Sequence, residues 1–237
     1  MLIACFSHSL APEITAVCVG KFDIVDVAPT FRLGERETKE KKGLQPLIFN
    51  INPELNPMFP HAFTREIAED FINQISAACD RIEIVGSLRR LKTAVNDIDL
   101  LVIPRFIQMD DETLFGGPYQ ENQLDKQLSQ LCLSRDLELE ANGSKIKRFL
   151  KTVDGDTVPI DLYIATEQTW WTLLLIRTGS RNHNIKLARR AMELQMHLKA
   201  DGSGLLAGSG SIIPIASEEE IFSHLRLEYR PPDDREY

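Results

Sequence analysis

Between residues 64 and 79, apolar side chains recur at helical intervals. Ile67, Phe71, Ile75 and Ala78 fall on one face, with Glu66, Glu69 and Asp70 close to the start. Thr64, with acids in the turn after it, predicts an N-cap there and a helix running to about Cys79. The pattern then changes period. Residues 81–85 alternate polar and apolar and predict a strand entering Gly86-Ser87, and residues 97–103 predict a second strand, ended by Pro104. Residues 121–133 return to helical spacing. Three β-rich runs follow, at 137–141, 145–152 and 157–165, separated by Asn142-Gly143 and Asp154-Gly155, dipeptides that favour tight hairpins. The remainder predicts helices at 167–176, 182–196 and 218–225, closed by Pro231-Pro232. Ahead of all this, residues 10–27 predict a strand or two, residues 32–42 a mixed-charge loop or linker, and Pro53, Pro57 and Pro60 extended or turning backbone. No internal repeat is visible.

Composition changes this picture little. At 237 residues, 43% hydrophobic and 26% charged, the chain has an ordinary globular profile, unlike a coiled coil, a collagen-like rod or a disordered chain. No run of 18 apolar residues exists, so no membrane-spanning helix is expected, and no basic flank of a secretory signal precedes Lys21. Cys5, Cys18, Cys79 and Cys132 lack zinc-ligand spacing and suggest no disulfide framework, which fits a reducing cytoplasm. The net charge of −8 argues by itself against nucleic acid, but the charge is unevenly spread. Residues 85–105 sum to +2 and residues 143–199 to +5, whereas residues 1–84, 106–142 and 200–237 sum to −4, −6 and −5. Local positive surface survives an acidic total, because exposed charges farther apart than roughly 8–10 Å are screened.

The chemistry concentrates between residues 81 and 104. Asp97 and Asp99 stand two apart on a strand, so the pleat aims both at one face and sends Ile98 and Leu100 to the other. Like charges held side by side repel and raise each other's pKa unless cations neutralise them, and carboxylate oxygens suit magnesium or manganese better than zinc. Gly86-Ser87 follows a strand where backbone N–H groups can approach phosphate oxygens, with Arg89 and Arg90 ready to pair with them. Acids, amides and arginines this close together point to a nucleoside triphosphate bound through its metal.

Gly86, Ser87, Arg89, Arg90, Asp97 and Asp99 resemble, position by position, the palm motif of the nucleotidyltransferase superfamily, and most closely that of the family X DNA polymerases. That resemblance implies a third carboxylate on a neighbouring strand some sixty residues on, and Asp161 stands there. Thr178-Gly179-Ser180 with Asn184 is similar to the family's palm-to-thumb junction, and residues 218–222 and 229–232 to the end of its thumb. The likeness runs from about residue 56 to residue 237. It implies an α+β fold: a mixed or antiparallel palm sheet with helices on one side, then a small helical thumb. The corresponding division is an N-terminal extension at 1–50, a fingers-like helix at 51–80, a palm at 81–177 and a thumb at 178–237.

The resemblance further implies two-metal nucleotidyl transfer to a primer 3′-hydroxyl, in short-patch DNA repair. Asp97, Asp99 and Asp161 would be the catalytic and metal-binding residues, for two Mg2+ ions with Mn2+ as a substitute. Gly86, Ser87, Arg90, Gly179, Ser180, Arg181 and Asn184 would bind nucleotide, with Arg89 supporting the fold or the template. Lys186, Arg189 and Arg190 form one helical stripe for DNA, beside an apolar stripe of Ile185, Ala188 and Met192. The expected partners are a DNA primer–template and a nucleoside triphosphate, with no membrane and a monomeric, cytoplasmic protein. Departures are equally legible: no lyase or helix-hairpin-helix segment is recognisable. Ile176 and Arg177 replace two aromatics that exclude a ribose 2′-hydroxyl, Arg181 takes a base-stacking position, Pro159 replaces a supporting arginine, and Leu91 replaces a glycine. The alternatives are a template-independent or small-acceptor nucleotidyltransferase, a silent nucleotide- or DNA-binding module, and a partner-binding role for residues 1–50.

Overall fold

In the computed structural model of the chain, which describes residues 57–109 and 117–236, the alternating stretches become one five-stranded sheet. The expectations for residues 1–50 lie outside the described residues, as does the start of the fingers-like segment. The chain enters through β1 (Phe59–Pro60) and α1 (His61–Ile75), and a short 3-10 turn at Ser76–Ala78 leads to β2 (Cys79–Ile84). The single turn α2 (Gly86–Arg89), β3 (Ala94–Val95) and β4 (Ile98–Pro104) follow. A hairpin of β5 (Phe106–Met109) and β6 (Tyr119–Asn122) precedes α3 (Gln123–Leu133), whose first turn is capped by the Asn122 side chain. Then come β7 (Glu138–Asn142), β8 (Ile146–Val153) and β9 (Asp156–Ile164). The last part holds α4 (Trp170–Thr178), α5 (Arg181–Glu193), β10 (His197–Leu198), β11 (Leu205–Leu206), β12 (Ile212–Ile213) and α6 (Glu218–His224), with a 3-10 turn at Pro232–Asp234.

The sheet order is β2-β4-β9-β8-β7, antiparallel throughout except for the parallel pair β4 and β9. The β8–β9 turn places Asp154 at φ 53° and Gly155 at φ 92°, the left-handed backbone that twist-matched hairpin turns require. Ile98, Leu100 and Val102 on β4, with Val158, Ile160 and Leu162 on β8's neighbour β9, bury one face under α1 and α3 through Ile67, Phe71, Ile75, Leu124 and Leu128. Each such side chain withdrawn from water contributes about 1.5–3 kcal/mol. To the expected helices on that face the structure adds α4 on the other, where Trp170, Leu173 and Leu174 cover Leu101 and Ile103. Arg81 stacks over Trp170 at 4.1 Å and Trp171 at 4.6 Å.

Two local expectations are corrected. Thr64 is not the cap of α1: the helix begins at His61, because β1 pairs with β3 and the His61 N–H is held by the Thr93 carbonyl at 3.0 Å. Thr64 lies buried inside the first turn, its hydroxyl donating to the carbonyls of Pro60 and His61 at 3.1 Å. The segment after α5 is also not all helical. β10, β11 and β12 form a small antiparallel sheet whose two-residue strands are too short to show a period of two. It joins α5 and α6 around Leu187, Ala191, Leu198, Leu205, Ile221, Phe222 and Leu225.

Candidate active site

The parallel pairing of β4 and β9 sets Asp99 directly beside Asp161, and the antiparallel pairing of β8 and β9 sets Arg148 on Asp161's other side. Paired residues project to the same face, so a row of Asp99, Asp161 and Arg148 crosses three strands on the face opposite α1 and α3. Asp97 precedes β4 and, with Asp161, lines the same cleft. Burial, and then repulsion from Asp97 and Asp161, raises the Asp99 carboxyl to about 7. Burial and repulsion from Asp161 also raise Asp97. Tyr163, two residues beyond Asp161, donates its hydroxyl to Asp99 Oδ1 at 3.2 Å and to Asp161 Oδ2 at 3.4 Å, so one oxygen reaches both acids. Arg177 stacks on the Tyr163 ring at 4.2 Å. It thus stands beside the acids at the place where the sequence lacks an aromatic.

Asp161 is buried and paired. Arg148 grips it with a fork, Nε to Oδ1 at 2.6 Å and Nη2 to Oδ2 at 2.7 Å. Among the described residues, no three acidic, histidine or cysteine side chains are already gathered around one ion position. The donor set nonetheless fits hard divalent cations: three carboxylates line the site, and two of them are driven toward protonation by burial and then by repulsion from neighbouring carboxylates, which cations would relieve.

Gly86 opens α2 just past β2, at φ +64°, and a Cβ there would meet Asp99 Oδ2 at 1.9 Å. Glycine is therefore required both by left-handed backbone and by the carboxylate pressed against it. Ser87 has its hydroxyl buried with no hydrogen-bond partner. The arginine pair divides. Arg89 donates to Thr178 Oγ1 at 2.7 Å and to both oxygens of Glu218, while buried Arg235 donates to Glu218 Oε1 at 2.8 Å. Burial pushes the Glu218 carboxyl up, but the two guanidinium groups outweigh it and hold it low. Arg90 donates to the Thr178 carbonyl at 2.6 Å and pairs with Glu236, whose other oxygen lies 3.3 Å from Lys92 Nζ. The Gly-Ser-Arg-Arg and Thr-Gly-Ser motifs thus meet in space.

Gly179 ends α4 so close to α5 that a Cβ would stand 2.6 Å from Asn184 Oδ1 and 2.8 Å from His183. Ser180 caps α5, accepting from the His183 N–H at 3.1 Å. Asn184 turns its amide nitrogen to the Ile176 carbonyl at 2.7 Å, locking α5 to the end of α4. Arg181, Lys186 and Arg189 are exposed along α5, whereas Arg190 is anchored to the Leu225 carbonyl and Glu193. The inward face of α5 is His183, Leu187 and Ala191, and the apolar stripe of Ile185 and Met192 stays outside.

Sequence reasoning missed Arg148, Tyr163, Glu218 and Glu236. Arg148 reads as an ordinary strand base, and only the hairpin register, followed residue by residue, brings it opposite Asp161.

Residues 173–236 match the family described as DNA polymerase beta thumb. Over 180 residues, 75% of the chain, it is 25% identical to the DNA polymerase/3'-5' exonuclease PolX of Bacillus subtilis (strain 168). The chain covers only 28% of that relative's length. Both matches are to DNA polymerases: the last part of the chain is similar to a polymerase beta thumb, and a longer stretch is similar, at low identity, to PolX.

Proposed function

We propose that the chain transfers a nucleoside monophosphate from a deoxynucleoside or nucleoside triphosphate to the 3′-hydroxyl of a DNA primer, in short-patch repair synthesis. The observation that carries this reading is the row formed when Asp99 and Asp161, from separate stretches of sequence, pair side by side with Gly86 packed against one end. The likeness to the polymerase beta thumb and to PolX supports DNA as acceptor. Residues 81–177 would act as the palm, residues 178–237 as the thumb, and the helix within 51–80 as a fingers-like remnant.

In this reading Asp97, Asp99 and Asp161 would hold two divalent ions, magnesium or manganese in its place, which when bound would supply charge neutralisation at the phosphate and acidify the primer hydroxyl. Gly86, Ser87 and Arg90 bind the departing pyrophosphate. For this Arg90 exchanges its ion pair with Glu236 for phosphate oxygens, another charge-assisted pairing. Arg89 spends its guanidinium on Glu218 and fixes the first motif to the last part of the chain. Gly179, Ser180, Arg181 and Asn184 shape the nucleotide side of α5, and Lys186, Arg189 and Arg190 bring positive charge to the DNA backbone. An acidic total and few phosphate contacts make the DNA affinity weak.

Primer extension on gapped, recessed and single-stranded primers, with all four deoxynucleotides or ribonucleotides, tests the reading. The wild type extends the templated primers with magnesium or manganese, and Asp99→Ala is folded and inactive. An active Asp99→Ala variant overturns the assignment; extension of single strands alone favours a template-independent transferase.

A further inference from the structure

The row of charged residues has a direction. Gly86 packs against Asp99 at one end, and Arg148 closes the other beyond Asp161. In phosphoryl transfer the attacking and leaving oxygens lie roughly in line on opposite sides of phosphorus. If Gly86, Ser87 and Arg90 hold the leaving pyrophosphate, the acceptor arrives from the Arg148 end. A cleft of about 540 Å3 opens there, within the size range of small-ligand sites, lined among others by Asn96, Asp97, Glu140, Arg148, Thr157 and Asp161.

Three of those lining residues are carboxylates, and Arg148 is the sole base among the described residues that line the cleft. Its side chain is 48% exposed while Asp161's is 5% exposed, so its outer edge faces the cleft. The fork to Asp161 uses Nε and Nη2 and leaves Nη1 outside it. A guanidinium can hold a carboxylate on one edge and a phosphate oxygen on the other, which an ammonium point charge does with less geometric control.

We propose that this cleft receives the terminal residue of the acceptor strand and that Arg148 binds the phosphodiester beside its 3′-hydroxyl, bridging that phosphate to Asp161. The inference rests on the nucleotidyl-transfer reading above. It gives Arg148 two contacts at once: one places the strand end, the other holds the acid the hydroxyl must meet. Without Arg148 the cleft presents only negative charge to a negative strand.

A chemical double-mutant cycle tests it. Acceptors carry one uncharged methylphosphonate at the last internucleotide linkage, or at a linkage further back as control, and are extended by the wild type, Arg148→Ala and Arg148→Lys. We expect the terminal methylphosphonate to cost the wild type about tenfold in kcat/KM, as for loss of one charge-assisted hydrogen bond, and Arg148→Ala less than about twofold further. The loss falls on the acceptor's KM and not on that of the triphosphate. Arg148→Lys, which keeps charge without the fork, retains part of the sensitivity, and it carries the test if Arg148→Ala does not fold. Independent, multiplying losses overturn the proposal, as does a wild type indifferent to the terminal linkage. Absence of transfer to the unmodified acceptor is a separate result that removes the parent reading and this one with it.

Discussion

Asp99 and Asp161 are immediate neighbours in the one parallel ladder of the sheet, with no residue of offset between their strands. Two carboxylates held this way repel; burial, then repulsion from Asp97 and from Asp161, raises the Asp99 pKa to about 7. Because the folded pKa lies above the unfolded one, the penalty is absent below about pH 4, grows as pH rises toward 7, and is full above it. Asp99→Asn in the absence of metal should therefore be more stable than wild type at pH 8, by about 4 kcal/mol, and no more stable at pH 4. Thermal melts in chelator across that range check it. Millimolar manganese should raise the wild-type melting temperature at pH 8 and leave Asp99→Asn nearly unmoved.

Glu218 is buried between Arg89 and buried Arg235. Glu218→Ala leaves guanidinium charge in a dry site with no counterion, and should cost about 3–5 kcal/mol in denaturant unfolding. Glu218→Gln, which keeps acceptors for hydrogen bonds, should cost less.

Gly86→Ala puts a methyl group where Asp99 Oδ2 already sits, on left-handed backbone. The displaced carboxylate should lower transfer by about a hundredfold or more, in line with the cost of small misplacements at a reacting centre. Manganese affinity, measured by electron paramagnetic resonance, should fall with it.

His183 is buried against Phe222, with ring centroids 5.8 Å apart. Burial, and then the charges of Arg235 and Arg230, lower its pKa from 6.5 to about 4. An unfolded chain takes up the proton first, so this stability is complete above pH 6.5 and is lost as pH falls toward 4. By pH 5 the loss reaches about 2 kcal/mol. Comparing wild type with His183→Gln in urea at pH 7 and pH 5 isolates it, since the variant lacks this part of the slope.

Glu236 occupies Arg90 and Lys92, two bases that follow the Gly-Ser turn in sequence. If Arg90 receives phosphate, Glu236→Gln should lower the KM for triphosphate by roughly two- to fivefold, the scale of a partly exposed ion pair. An unchanged KM would place the phosphates elsewhere.

What was legible in the sequence follows its range. The β7–β8–β9 hairpins show in Asn142-Gly143 and Asp154-Gly155 because a turn is decided by its own few residues. α1, α3 and α6 show in their spacing because one helix face repeats locally. The three aspartates and the arginine pair stand out as residue types in a strand context. β5 and β6 passed unread, since neither four-residue strand carries a clear period of its own, and Thr64 was misassigned because the β1–β3 pairing that starts α1 is a contact between distant residues.

By itself the amino-acid order showed most of the helices and the strands of the five-stranded sheet, and which side chains carry charge into that sheet. The three-dimensional structure alone decided what those charges meet. Strand register, a property of pairing between distant segments, put Arg148 and Asp99 on either side of Asp161. Close packing gave Arg89 to Glu218 while leaving Arg90 at the site. Both outcomes depend on distances that no local pattern encodes, because a side chain's partner is set by which strands and helices come to lie beside it.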